Sequence, residues 1–319
     1  MSKEAPDMQN ETVGIVGAGL IGRAWAIVFA RSGFQVRLHD QVPAALDNCM
    51  GIIGERLRDL AEFGLIAEPP ETILARIRPS PSLAEAVGEA VLVQENVAEK
   101  LEVKREIFAE LDRLAPADAI LASSTSWLPA SSFTEHVPGR ARCLVGHPVN
   151  PPYLVPLVEI APAPWTSPEA VARARQIYAK AGQTPVTLKK EITGFLLNRV
   201  QSAVLSEVFA LYREGYADAE DLDRVLKDGL ALRWSFMGPF ETIDLNAPAG
   251  LADYAARFGG TYRDVAASAV AFDWDADTVA KADAERRKQL PLEDIEKRSA
   301  WRDRRLMALL AHKRSQPES

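Results

Sequence analysis

Residues 12–22 read Thr-Val-Gly-Ile-Val-Gly-Ala-Gly-Leu-Ile-Gly, and this stretch limits what the chain can fold into more than any other. The apolar run 13–16 has the length and the β-branched content of a buried strand. It leads into Gly17, Gly19 and Gly22, a G-x-G-x-x-G spacing, and then into apolar residues at helical intervals, Ile21, Trp25, Val28 and Phe29. In such a strand–turn–helix the first glycine allows the tight turn and the second lets a pyrophosphate approach the backbone. The third lets helix and strand pack in contact. The N–H groups of Leu20 and Ile21 at the helix start are then left to face an anion. A glycine triplet alone is a weak sign, because packing can require it. Here residues 35–39 read as a second strand that ends in Asp40. An acid about 20 residues after the glycines, at a strand end, binds a ribose 2′-hydroxyl and repels a 2′-phosphate, so the pattern predicts NAD rather than NADP.

The chain has 319 residues, enough for two domains, and its composition is that of an ordinary globular protein with 47% hydrophobic and 25% charged residues. A net charge of −7 disfavours a nucleic-acid partner. Cys49 and Cys143 are far apart in sequence, so no disulfide framework is expected and a reducing cytoplasm fits. No apolar run reaches the length of a membrane span. Residues 1–11 are polar, lack the apolar core of a signal peptide, and are expected to be disordered.

Further strand candidates are 91–94, 119–122, 143–146, 157–160 and 185–188, with helical patterns such as 101–114 and 168–181 between most of them. That alternation predicts an α/β fold with a mainly parallel sheet. Residues 43–71 are longer than a simple crossover and read as an inserted helical pair turning at Gly64. From Glu191 onward the pattern is helical. Asp218 reads as the N-cap of a helix through Lys227 that stops at Gly229. The expected division is therefore a Rossmann-type dinucleotide-binding domain at 12–190 and an all-α domain at 191–319 that forms a homodimer. The charged tail from Lys281 carries a stripe of Trp301, Leu306 and Leu309, which leaves open a dimer-bracing helix or a solvated one.

His147 follows a predicted strand directly, at the sheet edge where ligands of open α/β folds bind. Glu159 lies between Val158 and Ile160 in another predicted strand, where an unpaired carboxylate is costly. A glutamate on one ring nitrogen of a histidine fixes the tautomer, stabilises the imidazolium and frees the other nitrogen to take a proton. Spacing alone leaves open a buried pair with no chemical role. Residues 123–126, Ser-Ser-Thr-Ser, follow a third strand, and their hydroxyls suit either a substrate or a turn. Asn198 is a polar residue on an apolar helix and should face a partner or a cleft.

Together these motifs resemble the 3-hydroxyacyl-CoA dehydrogenase family. The likeness rests on the G-x-G-x-x-G start, Ser124-Thr125-Ser126, the run from His147 through Asn150-Pro151-Pro152, Glu159, and Gly194-Phe195 with Asn198-Arg199. Within the family the chain resembles the branch of λ-crystallin and L-gulonate 3-dehydrogenase, through Gly22-Arg23-x-Trp25-Ala26 and Gly229-Leu230-x-x-Arg233 leading to Gly238-Pro239-x-Glu241-Thr242. The resemblance covers nearly the whole chain. It implies an NAD-dependent dehydrogenase with His147 as catalytic base and Glu159 as its partner. It also implies substrate contacts at Ser126 and Asn198, ribose contacts at Glu95 and Lys100, and no metal.

Substrate choice turns on two points. CoA is a polyanion, and the family's CoA enzymes meet it at the insertion after the second strand. Here 43–71 carries Asp47, Glu55, Asp59, Glu62, Glu68 and Glu71 against Arg56 and Arg58, a charge of −4. A free acid needs a cation, and Arg233 is the expected anchor for its carboxylate, in its own or a partner subunit. The expected reaction is oxidation of L-gulonate at its 3-hydroxyl. The alternatives are 3-hydroxybutyryl-CoA or L-carnitine as substrate, or an NAD-binding structural protein.

Overall fold

The computed structural model of the chain describes residues 10–316. Eight strands form one sheet among them: β1 (Thr12–Val16), β2 (Gln35–His39), β3 (Ile77–Pro79), β4 (Ala90–Glu95), β5 (Ile120–Ser123), β6 (Cys143–Pro148), β7 (Leu157–Pro162) and β8 (Thr184–Thr187). Their spatial order is β3-β2-β1-β4-β5-β6-β7-β8. The first six run parallel, and β7 pairs antiparallel with β6 and parallel with β8, so the last two are reversed. Order 3-2-1-4-5-6 is that of a doubly wound dinucleotide fold, whose crevice opens between β1 and β4.

Helices cover both faces. They are α1 (Leu20–Arg31), α2 (Pro43–Glu62), α3 (Pro70–Leu74), α4 (Leu83–Val87), α5 (Leu101–Leu114), α6 (Ala130–Thr134) and α7 (Pro168–Lys180). One core holds Trp25, Phe29, Leu57 and Tyr178 from α1, α2 and α7 with Phe34 from the turn before β2; the other holds Val93, Phe108, Phe133, Val145 and Phe195 on the α5 and α6 side. The central strands β1, β4, β5 and β6 are buried on both faces and read as largely apolar runs, whereas β2 toward the edge alternates.

Beyond the sheet come α8 (Leu197–Arg213), α9 (Ala219–Arg224), α10 (Ala231–Trp234), α11 (Pro239–Asp244), α12 (Gly250–Ser268), α13 (Ala276–Gln289) and α14 (Ile295–Ser315). Backbone contacts divide the chain into one unit that runs to Asn198 and resumes at Ser299, and a second at Arg199–Arg298. The second unit is helical. Among its described residues only Ala210, Tyr212, Leu222 and Phe272 are buried apolar side chains, while Leu232, Phe236, Phe240, Leu245 and Tyr262 stand exposed.

Four expectations change. β3 was not foreseen, since three residues ending in proline carry no readable period. The helix capped by Asp218 does not stop at Gly229: α9 runs on through a π-helical stretch, Val225–Leu230, into α10. Of the start expected to be disordered, 1–9 lie outside the described residues. Asn10 and Glu11 are already tied down beside β2, with the Asn10 N–H donating to Gly33 O at 3.4 Å and Glu11 O accepting from Gln35 N–H at 3.0 Å.

The tail is the fourth change. Residues from Ser299 pack on the first unit rather than with the helices before them. Met307 is fully buried in the α1–α2 core, with Leu306, Leu310 and Ala311 beside it. Arg304 pairs with Asp59 at 3.6 Å and Glu62 at 2.5 Å, and Arg314 donates to Leu65 O at 2.9 Å. Of the expected stripe, Leu306 packs on this core while Trp301 and Leu309 stand exposed, so the tail is anchored on the first unit by Met307 and its neighbours rather than by the whole stripe.

Candidate active site

Sheet register sets the floor of the site. Val16 pairs with His39 and Glu95, Glu95 with Ser123, and Ser123 with Val145, so these residues form one row across five strands. The next residue on each strand, Asp40, Gly17, Asn96, Ser124 and Gly146, lines the C-terminal edge. With strands about 4.8 Å apart, β2 and β6 lie roughly 19 Å from each other along that edge.

At β1, Gly17 has φ +96°, a conformation that strains other residues. A Cβ on Gly22 would lie 1.8 Å from Gly17 O, whereas a Cβ on Gly19 would meet nothing within 4 Å. The N–H groups of Leu20 and Ile21 have no partner among the described residues, and Gly19 provides no side-chain cap. Open space above unpaired donors at a helix start is what a pyrophosphate fits. Asp40 closes the loop: Oδ2 accepts from Ala18 N–H at 2.7 Å and Oδ1 from Val42 N–H at 2.8 Å. Beside it is a cavity of about 410 Å³ lined by His39, Asp40, Asp47, Pro79 and Ser80, a space with two carboxylates and no facing cation in its wall.

Between β4 and β5 lies a polar layer that was not foreseen. Ser124 Oγ donates to Asn96 Oδ1 at 2.7 Å and accepts from Trp25 Nε1 at 3.0 Å and Gln94 Nε2 at 2.7 Å. Tyr178 OH donates to Gln94 Oε1 at 2.5 Å. Burial pushes the Tyr178 hydroxyl well above the usual phenol range, against the pull of that bond. A Cβ on Gly146 would lie 2.0 Å from Tyr178 OH, so glycine is required for the tyrosine to reach across. Glu99, also missed, accepts from Thr125 Oγ1 and from the N–H groups of Ser126 and Trp127, both at 3.2 Å. Burial acts to raise its pKa, and these bonds, with Lys104 nearby, bring it below the usual value. Of the serine run, Ser124 and Thr125 are therefore structural.

Glu95 corrects the expected ribose contact. Its side chain is 0% exposed and lies under the sheet edge. Lys104 Nζ, itself 1% exposed, donates to both of its oxygens at 2.9 and 3.0 Å, and Ser123 Oγ and Val97 N–H add bonds of 2.6 Å each. Alternation along β4 turns Glu95 toward α5, and a buried carboxylate persists there because it is paired. Lys100, also expected at the ribose, is exposed at the start of α5 and free to reach a ligand.

The antiparallel turn from β6 to β7 places His147 directly opposite Glu159. Residues opposite each other share a sheet face, so the pair is set by register. Nδ1 lies 2.8 Å from Glu159 Oε2, with His147 4% and Glu159 1% exposed. Glu159 Oε1 accepts from Leu196 N–H at 2.8 Å and Leu197 N–H at 2.9 Å, at the start of α8. Burial acts to raise the Glu159 pKa, but bonds from His147, Leu197 and Leu196 outweigh it, and the carboxyl stays below its ordinary range. His147 Nε2 has no partner among the described residues and is not enclosed. Phe195, at φ +50°, sets its ring 5.3 Å from the imidazole; a left-handed residue other than glycine costs on the order of 1 kcal/mol. Asn198 Nδ2 donates to Ser126 O at 3.0 Å. His147, Glu159, Ser126 and Asn198 are thus joined in one unit. Arg233 lies on α10 in the other unit, exposed and without an ion pair among the described residues.

Residues 12–192 match the family model of the 3-hydroxyacyl-CoA dehydrogenase NAD binding domain, and 194–281 match that of the 3-hydroxyacyl-CoA dehydrogenase C-terminal domain. The chain belongs to the 3-hydroxyacyl-CoA dehydrogenase family. Like its family it is an NAD-dependent dehydrogenase acting on a CH–OH group. It is 40% identical to rabbit (Oryctolagus cuniculus) λ-crystallin over 310 residues, which is 95% of this chain and 97% of the relative. It is 35% identical to a 3-hydroxyacyl-CoA dehydrogenase of Gibberella moniliformis over 308 residues, 95% of this chain and 94% of the relative. Among solved structures, an NAD-dependent 5-formyl-3-hydroxy-2-methylpyridine 4-carboxylic acid 5-dehydrogenase superposes with a TM-score of 0.83 at 26% identity, covering 97% of this chain and 100% of that one. Among the described residues no helix is long and apolar enough to cross a membrane, and no group of three or more His, Cys, Asp or Glu side chains could hold a metal ion.

Proposed function

We propose that the chain oxidises the 3-hydroxyl of a small 3-hydroxy acid, with L-gulonate as the substrate. The single supporting observation is His147 at the cofactor edge, gripped by Glu159 at 2.8 Å with Nε2 open. When bound, NAD supplies the acceptor for the hydride lost from C3. Asp40 and Lys100 would hold its ribose hydroxyls, and the N–H groups of Leu20 and Ile21 at the glycine loop would hold its phosphates. His147 Nε2 takes the hydroxyl proton, and the anionic Glu159 stabilises the imidazolium that results. Ser126, whose hydroxyl has no hydrogen-bond partner among the described residues, and Asn198, anchored on Ser126 O, stabilise charge on the substrate oxygen. The product leaves as a 3-keto acid, and the His147 imidazolium then returns its proton to water.

Free acid is favoured over thioester by the acids of 43–71, although less strongly than their count suggests. Arg76 pairs with Glu68, and Arg304 with Asp59 and Glu62, which halves the local charge to −2. The structural likeness to an enzyme of a free pyridine carboxylic acid supports the same choice. Following NADH absorbance with L-gulonate, 3-hydroxybutyrate, L-carnitine and 3-hydroxybutyryl-CoA tests it. Turnover of the thioester alone replaces the free acid by CoA, and no turnover with any of them leaves an NAD-binding structural protein.

Arg233 is proposed to anchor the substrate carboxylate through a forked pair. Arg233→Met is then expected to raise KM for L-gulonate by about 10- to 100-fold, with kcat nearly preserved, since a charge-assisted bond is lost. An unchanged KM rejects the anchor. The exposed apolar residues of the second unit support a homodimer. Analytical ultracentrifugation at micromolar concentration should show twice the single-chain mass, and a monomer there rejects the dimer.

A further inference from the structure

Four consecutive residues at the head of α8 touch every part of the proton-accepting group. The Phe195 ring lies 5.3 Å from the His147 ring. Leu196 and Leu197 donate their N–H groups to Glu159 Oε1 at 2.8 and 2.9 Å. Asn198 holds Ser126 O at 3.0 Å. The chain reaches this arrangement through two successive left-handed residues, Gly194 at φ +76° and Phe195 at φ +50°. Phe195 is fully buried in spite of that conformation. Removing the bend would carry Leu196 and Leu197 past the carboxylate.

We propose that residues 195–198 act as one positioning turn, which sets the proton affinity of the His147–Glu159 pair by holding Glu159 Oε1 on two helix-start N–H groups and packing Phe195 against the imidazole. The inference rests on the dehydrogenase reading for its catalytic meaning, but its geometry stands in the protein alone. Oε2 binds the imidazole, so Oε1 is the oxygen through which the rest of the protein acts on the base. The elements packed on Glu159 are β6, β7 and the head of α8. Among the described residues His147 is the titratable side chain hydrogen-bonded to it, beside the two backbone N–H groups. Two N–H bonds draw charge away from Oε2 and keep the carboxylate from protonating. Losing one makes Oε2 a stronger acceptor for the imidazolium and makes the carboxyl itself easier to protonate. Both effects move the titration of the pair to higher pH.

Leu197 is the first helical residue of α8, a position that tolerates proline, so Leu197→Pro deletes one donor and keeps the helix. The chain has four histidines, and the His147 ring signals can be assigned by difference from His147→Asn in ¹⁵N-histidine spectra of the protein without cofactor. Leu197→Pro is expected to raise the His147 midpoint by about one pH unit and to shift the acidic limb of kcat/KM with it, with KM for NAD unchanged. Phe195→Gly keeps a left-handed backbone and removes the ring; a kcat loss of about tenfold is expected, with most of it restored in Phe195→Leu. A Leu197→Pro midpoint equal to that of the wild type overturns the proposal. If that variant does not fold, wild-type kcat and midpoint in Phe195→Gly overturn it instead. Absence of wild-type turnover is a different result: it counts against the dehydrogenase reading, while the ring titration still decides the positioning turn.

Discussion

His147→Asn is expected to lower kcat by about 10² to 10⁴, the usual contribution of a positioned general base, while NAD should bind with its wild-type affinity. The separation follows from the layout of the edge. The glycine loop and Asp40 sit on β1 and β2, and the imidazole sits on β6, with β4 and β5 between them. The asparagine leaves Glu159 with its two bonds from Leu196 and Leu197, so the carboxylate is not stranded and the fold should persist. Single-turnover kinetics and NAD titration by calorimetry read the two quantities apart. A kcat within threefold of wild type would remove His147 from the chemistry.

Gly22→Ala acts at the other end of the site. Its added methyl lies 1.8 Å from Gly17 O and 2.9 Å from Gly17 C, and both are backbone atoms that cannot rotate away. Either α1 lifts from β1 or the left-handed Gly17 moves, and both displace the N–H groups that face the phosphates. Overpacking at a backbone contact costs about 1–3 kcal/mol of stability. Loss of comparable binding energy corresponds to a Kd for NAD higher by about 30-fold. Thermal melting and calorimetry measure both. A variant that binds NAD as well as the wild type would show that helix–strand contact at Gly22 is not what shapes the loop.

The fold was largely legible because its strongest signals are local. A strand, three glycines and a helix occupy 20 residues, and Asp40 falls at a distance that only a paired second strand explains. The His147–Glu159 pair was legible for a different reason: a carboxylate between Val158 and Ile160 demands a partner, and few polar residues were available. What stayed hidden depends on which way a side chain turns. Glu95 stands one residue before the edge and therefore points to Lys104 beneath it. Ser124 and Gln94 depend on Trp25 and Tyr178, each far away in sequence. The tail has an apolar stripe, but a stripe does not name the surface it covers. Nor does helical periodicity announce that the head of α8 is bent through Gly194 and Phe195.

The ladder between β6 and β7 has a consequence for how this protein can change. His147 faces Glu159 only in the present alignment; a slip of one residue would offer it Val158 or Ile160 instead and turn one of the two onto the Tyr178 side. Insertions or deletions in the connection 149–156 are therefore tolerated only when they loop out without dragging either strand. Variation in length there should be rarer than variation in residue type, and drift toward new substrates must come from elsewhere in the chain.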